Sequence, residues 1–362
     1  MKFNIDNITL SQKIKSRILT YWLLVCLLLI TAMMVINGFS RIKESQLSIL
    51  QWKNFSDVTY DIFPNEKLIE QEFESYESIP QFKKAFPYME LEEFKTIYKL
   101  EYASNSLESI IKILLFTPLI IFTALRFLGI RQIITLLVVI NICLLSEYSK
   151  SYMLQNGLFD NKAFTPYRIS LQLILQYSFF CVVLWNILSF SYPKTDINIG
   201  TFELSRPHWW IKIFACILLL LILVQITLGG AISGLDGGVK FNSFPKMDGE
   251  WIPEGMFELS PWYKNIFEDV TVAQFVHRIL AYLLTFFILI FWLFGRNNPH
   301  VAHLLPIVFS VFVVEFMLGV LTVLFASPVR IASLHQANSI LFFAISTIIV
   351  HRLFRPIKSI SY

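Results

Sequence analysis

Long apolar segments dominate this chain, and short polar connections separate them. Eight of these segments have close to the ~20 residues that a helix needs to cross the hydrocarbon core of a bilayer. Because a backbone in lipid must satisfy its own hydrogen bonds, each segment is predicted to be an α-helix. The pattern therefore predicts an all-α polytopic membrane protein with eight transmembrane helices. They are expected at about residues 17–38, 108–127, 130–149, 168–190, 209–232, 272–294, 301–325 and 330–351.

The eight segments divide into two sets of four with the same plan. In each set a long polar connection, 39–107 or 233–271, follows the first span. The fourth and the eighth span both open with Pro-x-Arg-Ile. Four spans return the chain to the side where it started, so two such sets run parallel. We therefore predict two repeated four-helix bundles, formed by residues 1–207 and 208–362.

The two long connections differ in character. The segment 89-MELEEFKTIYKLEY-102 is acidic and amphipathic, which predicts a separate surface helix at the membrane edge. The segment 233–257 is rich in Gly, Pro and aromatic residues, which is typical of an ordered loop packed on the outer surface.

Composition and charge agree with a membrane protein. Of the 362 residues 55% are hydrophobic and only 15% are charged, which excludes an ordinary soluble domain. The net charge of +4 is modest, and we expect membrane lipid but no nucleic acid as a partner; an oligomer is left open. Basic residues precede the first span and follow the last, so both termini are predicted to be cytoplasmic. All four cysteines fall within spans, so no disulfide framework is predicted.

Two histidines lie at matched depth in the second half. If Thr271 caps the sixth span, His277 lies ~9 Å inside it, and if Ser327 caps the eighth, His335 lies ~12 Å inside. Both helices are expected to run inward. Both imidazoles are then expected in the outer half of the bilayer, where ionisable side chains are functional candidates.

The neighbours of these histidines favour a cofactor. A small residue follows each histidine by one turn, Ala281 or Ser339, and leaves room for a flat group between the helices. Two neutral imidazoles across such a gap would be axial ligands for a haem iron. Arg278 and Arg330 would then pair with its propionates. The alternatives are that each histidine is a hydrogen-bonded packing residue, or reaches the interface.

Two further observations bear on the function. Glu315 in the seventh span has no evident partner in the sequence, which fits a functional group or a buried neutral acid. A transporter would also combine internal repeats with polar groups in the membrane. The expected position of the histidines, near the outer face and not at the midplane, argues against a transporter.

The chain resembles the haem A synthases, membrane enzymes that convert haem O to haem A for cytochrome oxidase. In the second half the resemblance rests on 229-GGAISGLDGG-238, 242-NSFPKMDGEWIP-253, 265-NIFEDVTVAQFVHR-278 and 334-LHQAN-338, in the order and spacing of that family. In the first half it rests on 71–84 and 89–103. It covers nearly the whole chain.

The resemblance implies a role for each half. The second half would hold a haem b cofactor, with His277 and His335 as its iron ligands. The first half would take the substrate haem O, and Glu101 matches a glutamate thought to take part in catalysis. The reaction oxidises a ring methyl through hydroxylation to a formyl group, with water as the source of oxygen.

The first half departs from the family pattern. Where the family has Glu-x-x-His-Arg, this chain has Ser104 and Asn105 in place of His and Arg, and Gln172 stands at the second histidine. Glu108 and Lys150 would bring charge to a region where the family has small residues. Two interpretations follow: a divergent enzyme that binds haem O without histidine ligands, or a non-catalytic paralogue that keeps haem b for assembly or electron transfer.

The resemblance also suggests partners and a location. A haem O synthase would act upstream, and cytochrome oxidase with its assembly factors downstream. The amino terminus lacks a convincing Arg- and Ser-rich presequence, which favours the inner membrane of a bacterium over that of a mitochondrion.

Overall fold

A computed structural model describes residues 5–43, 64–78, 88–156, 158, 162–191 and 207–355. These residues are mostly helical and include no β-strand. Their helices are α1 Ile5–Lys43, α2 Glu66–Glu77, α3 Leu91–Ala124, α4 Ile130–Gln155, α5 Thr165–Ser191, α6 Trp209–Gly234, α7 Lys264–Glu268, α8 Val270–Gly295, α9 Leu305–Leu324 and α10 Val329–Phe354.

The described residues contain eight helices long and apolar enough to cross a membrane. They are α1, α3, α4, α5, α6, α8, α9 and α10, and all eight predicted spans coincide with one of them. The all-α polytopic fold is therefore confirmed.

The start of α3 differs from the prediction. Residues 89–102 do not form a separate surface helix, because α3 runs without a break from Leu91 into the membrane. No Pro or Gly interrupts residues 91–117, so nothing ends the first turns before the span begins. Outside the span, Phe94 and Tyr98 pack with Ile69 and Tyr76 of α2 in a small apolar cluster.

The two helices that carry the histidines begin close to the predicted positions. The cap of α8 is Asp269 and not Thr271; its carboxylate accepts a hydrogen bond of 2.8 Å from the Thr271 N–H. The cap of α10 is Pro328 and not Ser327, so the helix begins at Val329. Boundaries that differ by one or two residues are usual, because several polar residues near a helix start can serve as caps.

The packing of the first four spans has a counterpart in the last four. Helix α1 packs on α3 and α5, as α6 packs on α8 and α10; α4 packs on α5, as α9 packs on α10. Contacts between the two sets run through α5 with α6, α1 with α10, and α5 with α10. One continuous apolar core includes residues of both sets. The division into halves at 207/208 stays a prediction.

Close approach of α5 and α6 depends on a glycine at the end of α6. A Cβ atom at Gly234 would lie 2.6 Å from Cα and 2.7 Å from N of Pro166. Small residues allow such close backbone contact between membrane helices. Because the neighbouring atoms belong to the backbone, no side-chain movement would make room there.

Candidate functional site

A cavity of about 560 Å³ lies among helices α5, α6, α8, α9 and α10. Its volume falls within the roughly 300–1,000 Å³ of ligand and cofactor sites. The structure brings both predicted histidines, His277 of α8 and His335 of α10, to this one cavity. Ala281 and Ser339, the small residues one turn after them, also line it.

His277 lies at the start of the third turn of α8 and faces α6. A Cβ atom at Gly229 of α6 would be 3.5 Å from its Cε1, so the ring lies directly against the helix backbone at that glycine. The Gln225 side chain donates a hydrogen bond of 3.0 Å to the His277 carbonyl and fixes this turn of α8 against α6. The ring atom Nδ1 has no hydrogen-bond partner in the protein.

His335 lies in the second turn of α10 and faces α9. A Cβ atom at Gly319 would be 3.2 Å from its Cε1, so this ring also lies against a glycine. Glu315, one turn before Gly319, places Oε1 3.2 Å from Nδ1 of His335. Nδ1 of His335 nevertheless has no hydrogen-bond partner, so it is close to an acceptor without being satisfied by it.

Glu315 has partners that the sequence did not reveal. Its second oxygen accepts a hydrogen bond of 2.7 Å from Nδ2 of Asn338, which lies on α10. Both contacts join α9 to α10 and depend on which faces of the two helices meet. Neither residue type nor spacing along one helix predicts such a pairing. The only signal in the sequence was an acidic residue in an apolar span, which marks a functional candidate.

Unpaired polar atoms converge on this cavity. Among its lining residues, Nδ1 of His277, Nδ1 of His335, Oε1 of Gln225, Nε of Arg278 and the hydroxyl of Tyr282 are buried without a hydrogen-bond partner. Buried polar atoms are satisfied in nearly all native structures, so such a group indicates a site for a ligand with polar or coordinating atoms.

The donor set distinguishes a bare metal ion from a metal within a macrocycle. The described residues hold no group of three or more His, Cys, Asp or Glu that would bind an ion alone. Two imidazoles supply two ligands, so the remaining equatorial ligands must come from the group itself. A haem meets this requirement, because its ring supplies four nitrogens and leaves two axial positions. The residues present therefore fit a haem.

Arg278 and Gln274 hold the loop between α6 and α7 over the cavity. The Arg278 guanidinium donates hydrogen bonds of 2.8 Å each to the carbonyls of Phe241 and Ser243. Gln274 donates to the carbonyls of Gly237 and, at 2.6 Å, Lys240. The loop after α6 is thus an ordered cover, and Arg278 is both its anchor and a lining residue. Arg330, in contrast, is exposed and is not among the lining residues.

In the first half, the positions that correspond to the two histidines are occupied by other polar residues. Ser104, where the family has a histidine, is buried and hydrogen-bonded to Asn37 of α1. Gln172 on α5 is half-buried. The side chain of Glu101, the predicted catalytic residue, lies outside the described residues, although its backbone belongs to α3.

Four charged side chains join α3 to α4 in this half. Lys150 contacts Glu108 at 2.5 Å, and Lys112 contacts Glu147 at 2.5 Å. Lys112 also lies 3.8 Å from Glu108, which links the two pairs into one network. Among the described residues of this half there is no imidazole, so they do not fit a haem held by two histidines.

Comparison with known proteins places these observations in a family. The model of a family described as cytochrome oxidase assembly protein (COX15-CtaA) matches residues 20–347. The chain is 31% identical to the haem A synthase of Nitrosospira multiformis over 92% of this chain and 93% of that protein. It is 32% identical to that of Wolbachia pipientis from Culex pipiens, over 89% and 93%, and 33% identical to that of Nitrosomonas eutropha, over 89% and 90%.

Proposed function

This chain belongs to the COX15-CtaA family of cytochrome oxidase assembly proteins, and we propose that it is a haem A synthase, a membrane oxidoreductase that converts haem O to haem A. The observation that carries the proposal is the likeness to haem A synthases over about nine-tenths of both chains. The alternative of a non-catalytic haem b paralogue is not favoured, because the similar proteins share the name of the enzyme.

We propose haem b as the resident cofactor of the second half, with His277 and His335 as axial ligands. A haem held there would supply electron-transfer chemistry, which the oxidation of the substrate requires. The protein contributes the glycines that let both imidazoles lie against neighbouring helices, and a cavity that is partly covered by the loop between α6 and α7. Nε of Arg278 has no protein partner and lines the cavity, which supports its proposed contact with a propionate. The same role for Arg330 stays a prediction.

We propose that the first half receives haem O as substrate. Its described residues lack an imidazole, so the substrate would be held by shape and apolar contacts, as in a divergent enzyme. Glu101 is proposed as the catalytic residue, since it retains the glutamate of the family motif. A carboxylate is suited to accept a proton as the ring methyl is oxidised.

The proposed setting follows from the eight spans and the family. We propose the inner membrane of a bacterium, with both termini in the cytoplasm, and two four-helix halves with the boundary at 207/208. The enzyme that makes haem O and the assembly factors of cytochrome oxidase are the proposed partners.

The function is tested by expressing the chain in a bacterial strain that lacks its own haem A synthase. Extracted haem should then include haem A, and Glu101→Gln should lower its yield without changing the haem b spectrum. Glu93→Gln, which makes the same change at an exposed residue in the first turn of the same helix, serves as the matched control. Haem A absent from cells that contain the haem-loaded protein would disprove the enzymatic proposal.

The cofactor is tested by spectroscopy of the purified protein. Wild-type protein should show a low-spin spectrum of haem with two histidine ligands, and His277→Ala or His335→Ala should abolish it. His303→Ala is the control, because His303 is exposed and does not line the cavity. A low-spin spectrum that survives both single substitutions would exclude these residues as the ligands.

A further inference from the structure

The two proposed ligands are held in different ways. His277 lies against α6, and among the described residues no carboxylate forms an ion pair with it. His335 lies against α9, where a glycine and a carboxylate one turn apart contact the same ring. The carboxylate belongs to Glu315, which the sequence left without a partner.

The Glu315 carboxylate is itself fixed in place. Its side chain is only 15% exposed, and Asn338 donates to it at 2.7 Å. The same Asn338 amide donates at 3.1 Å to the carbonyl of Val311, one turn before Glu315. One oxygen of Glu315 is thereby held by Asn338, which leaves the other aimed at the Nδ1 side of His335.

The position of the Glu315 carboxylate beside the His335 imidazole determines its role. An imidazole that coordinates a metal through one nitrogen commonly donates its other N–H to a carboxylate or carbonyl, which fixes the ring and makes it a stronger donor to the metal. Oε1 of Glu315 is 3.2 Å from Nδ1 of His335, while Gly319 allows the ring to lie against α9. A small rotation of the ring would turn this contact into a hydrogen bond.

We infer that Glu315 is a positioning residue for the haem site: it orients the His335 imidazole and strengthens it as an iron ligand, acting from a second helix. The inference rests on the proposed function for its cofactor. It adds a residue of α9 to a site whose two ligands lie on α8 and α10. It also gives His335 a carboxylate neighbour, whereas among the described residues no carboxylate forms an ion pair with His277.

The inference is tested with Glu315→Leu and Glu315→Gln in the purified, haem-loaded protein. A carboxylate acceptor on Nδ1 favours ferric iron, so both substitutions should raise the midpoint potential of the haem, the leucine more than the glutamine. Glu315→Leu should also weaken haem binding by ~10–100-fold and yield a fraction of reduced haem that binds carbon monoxide. Glu315→Gln keeps an acceptor oxygen, so this variant should retain most of the low-spin haem spectrum of the wild-type protein.

A matched control separates this role from general loss of a membrane carboxylate. Glu108→Gln changes an acidic residue of the first half, and it should leave the midpoint potential unchanged. Variants at 315 that lose thermal stability while the potential and spectrum stay unchanged would overturn the inference. If Glu315→Leu fails to fold, the potential of Glu315→Gln alone decides. Wild-type protein without stoichiometric haem would overturn the proposed function as well, whereas a loaded protein with unshifted variants overturns only this inference.

Discussion

At the scale of single residues, the cavity depends on two glycines as much as on the two histidines, because a glycine has no Cβ atom. Gly229 and Gly319 lie on different helices, and each leaves room for one imidazole ring. The distances differ, however: an added Cβ would be 3.5 Å from the ring of His277 but 3.2 Å from that of His335. The first is ordinary van der Waals contact, and the second requires the ring to move.

Gly319→Ala is therefore expected to disturb the site more than Gly229→Ala. The added methyl group would push the His335 ring away from α9, at a cost of about 1–3 kcal/mol for overpacking. The measurement is the haem content of each purified variant, together with its low-spin absorption. Equal haem content in both variants would contradict the close contact at Gly319.

The period of a single helix predicted that Ala281 lies one turn from His277 and Ser339 one turn from His335, and all four residues line the cavity. The role of the two histidines as ligands stays a prediction. Sequence reasoning failed for Glu315, whose contacts reach across to another helix. It also did not predict that the Arg278 guanidinium binds loop carbonyls. Distances between helices decide such partners, and a sequence pattern does not contain them.

At the scale of elements, α3 and α4 have few contacts between their backbones, and the charge network joins them. Lys150 and Glu108 are in contact at 2.5 Å, and their side chains are 35% and 19% exposed. An exposed ion pair adds up to ~1 kcal/mol to stability, whereas loss of one partner of a buried pair costs ~3–5 kcal/mol. The Lys150–Glu108 pair is partly buried, so its contribution to stability is expected to lie between these two values.

Lys150→Met should lower the free energy of unfolding by about 1–3 kcal/mol, because it leaves Glu108 with only the more distant Lys112. The double variant Glu108→Gln with Lys150→Met removes both charges and should recover most of the loss. Thermal unfolding in detergent measures the stability of the single and of the double variant. A single variant as stable as wild type would show that the network contributes little.

The same pair of helices shows what hydropathy could and could not predict. Apolar runs located both spans, because length and composition alone decide whether a helix can cross lipid. The continuity of α3 from Leu91 through its acidic first turns was missed, since polarity suggested a separate element. Helix α2 was not predicted either, because its short amphipathic stretch becomes stable by packing on α3.

At the scale of the whole molecule, the two sets of four spans meet where α5 crosses α6. Gly234 and Pro166 bring the two backbones together there, and Gly230 faces Leu173 a turn earlier on α6. Deeper in the membrane, a hydrogen bond of 2.7 Å joins the hydroxyls of Tyr177 and Ser339 across α5 and α10. Both Leu173 and Tyr177 line the cavity, so the first set of helices supplies part of the wall of the site in the second.

Gly234→Ala is expected to weaken the assembly of the two sets, since its methyl group would meet the backbone of Pro166 and not a flexible side chain. Gly295→Ala is the matched control; its nearest neighbour is a terminal methyl of Leu305 at 3.0 Å, which is able to move. The yield of monodisperse protein after detergent extraction should fall for Gly234→Ala alone. Equal yields would argue against a critical contact at this crossing.

The loop between α6 and α7 has a consequence for the order in which the site forms during synthesis. The side chains of Gln274 and Arg278 donate hydrogen bonds to backbone carbonyls within residues 237–246. These carbonyls come first in the chain, so they leave the ribosome before the two donor side chains do. The loop is complete once the sixth span has been inserted, yet His335 arrives only with the last. A group that needs both imidazoles can therefore be held only after the last span has been made, when the anchors of the loop are already present.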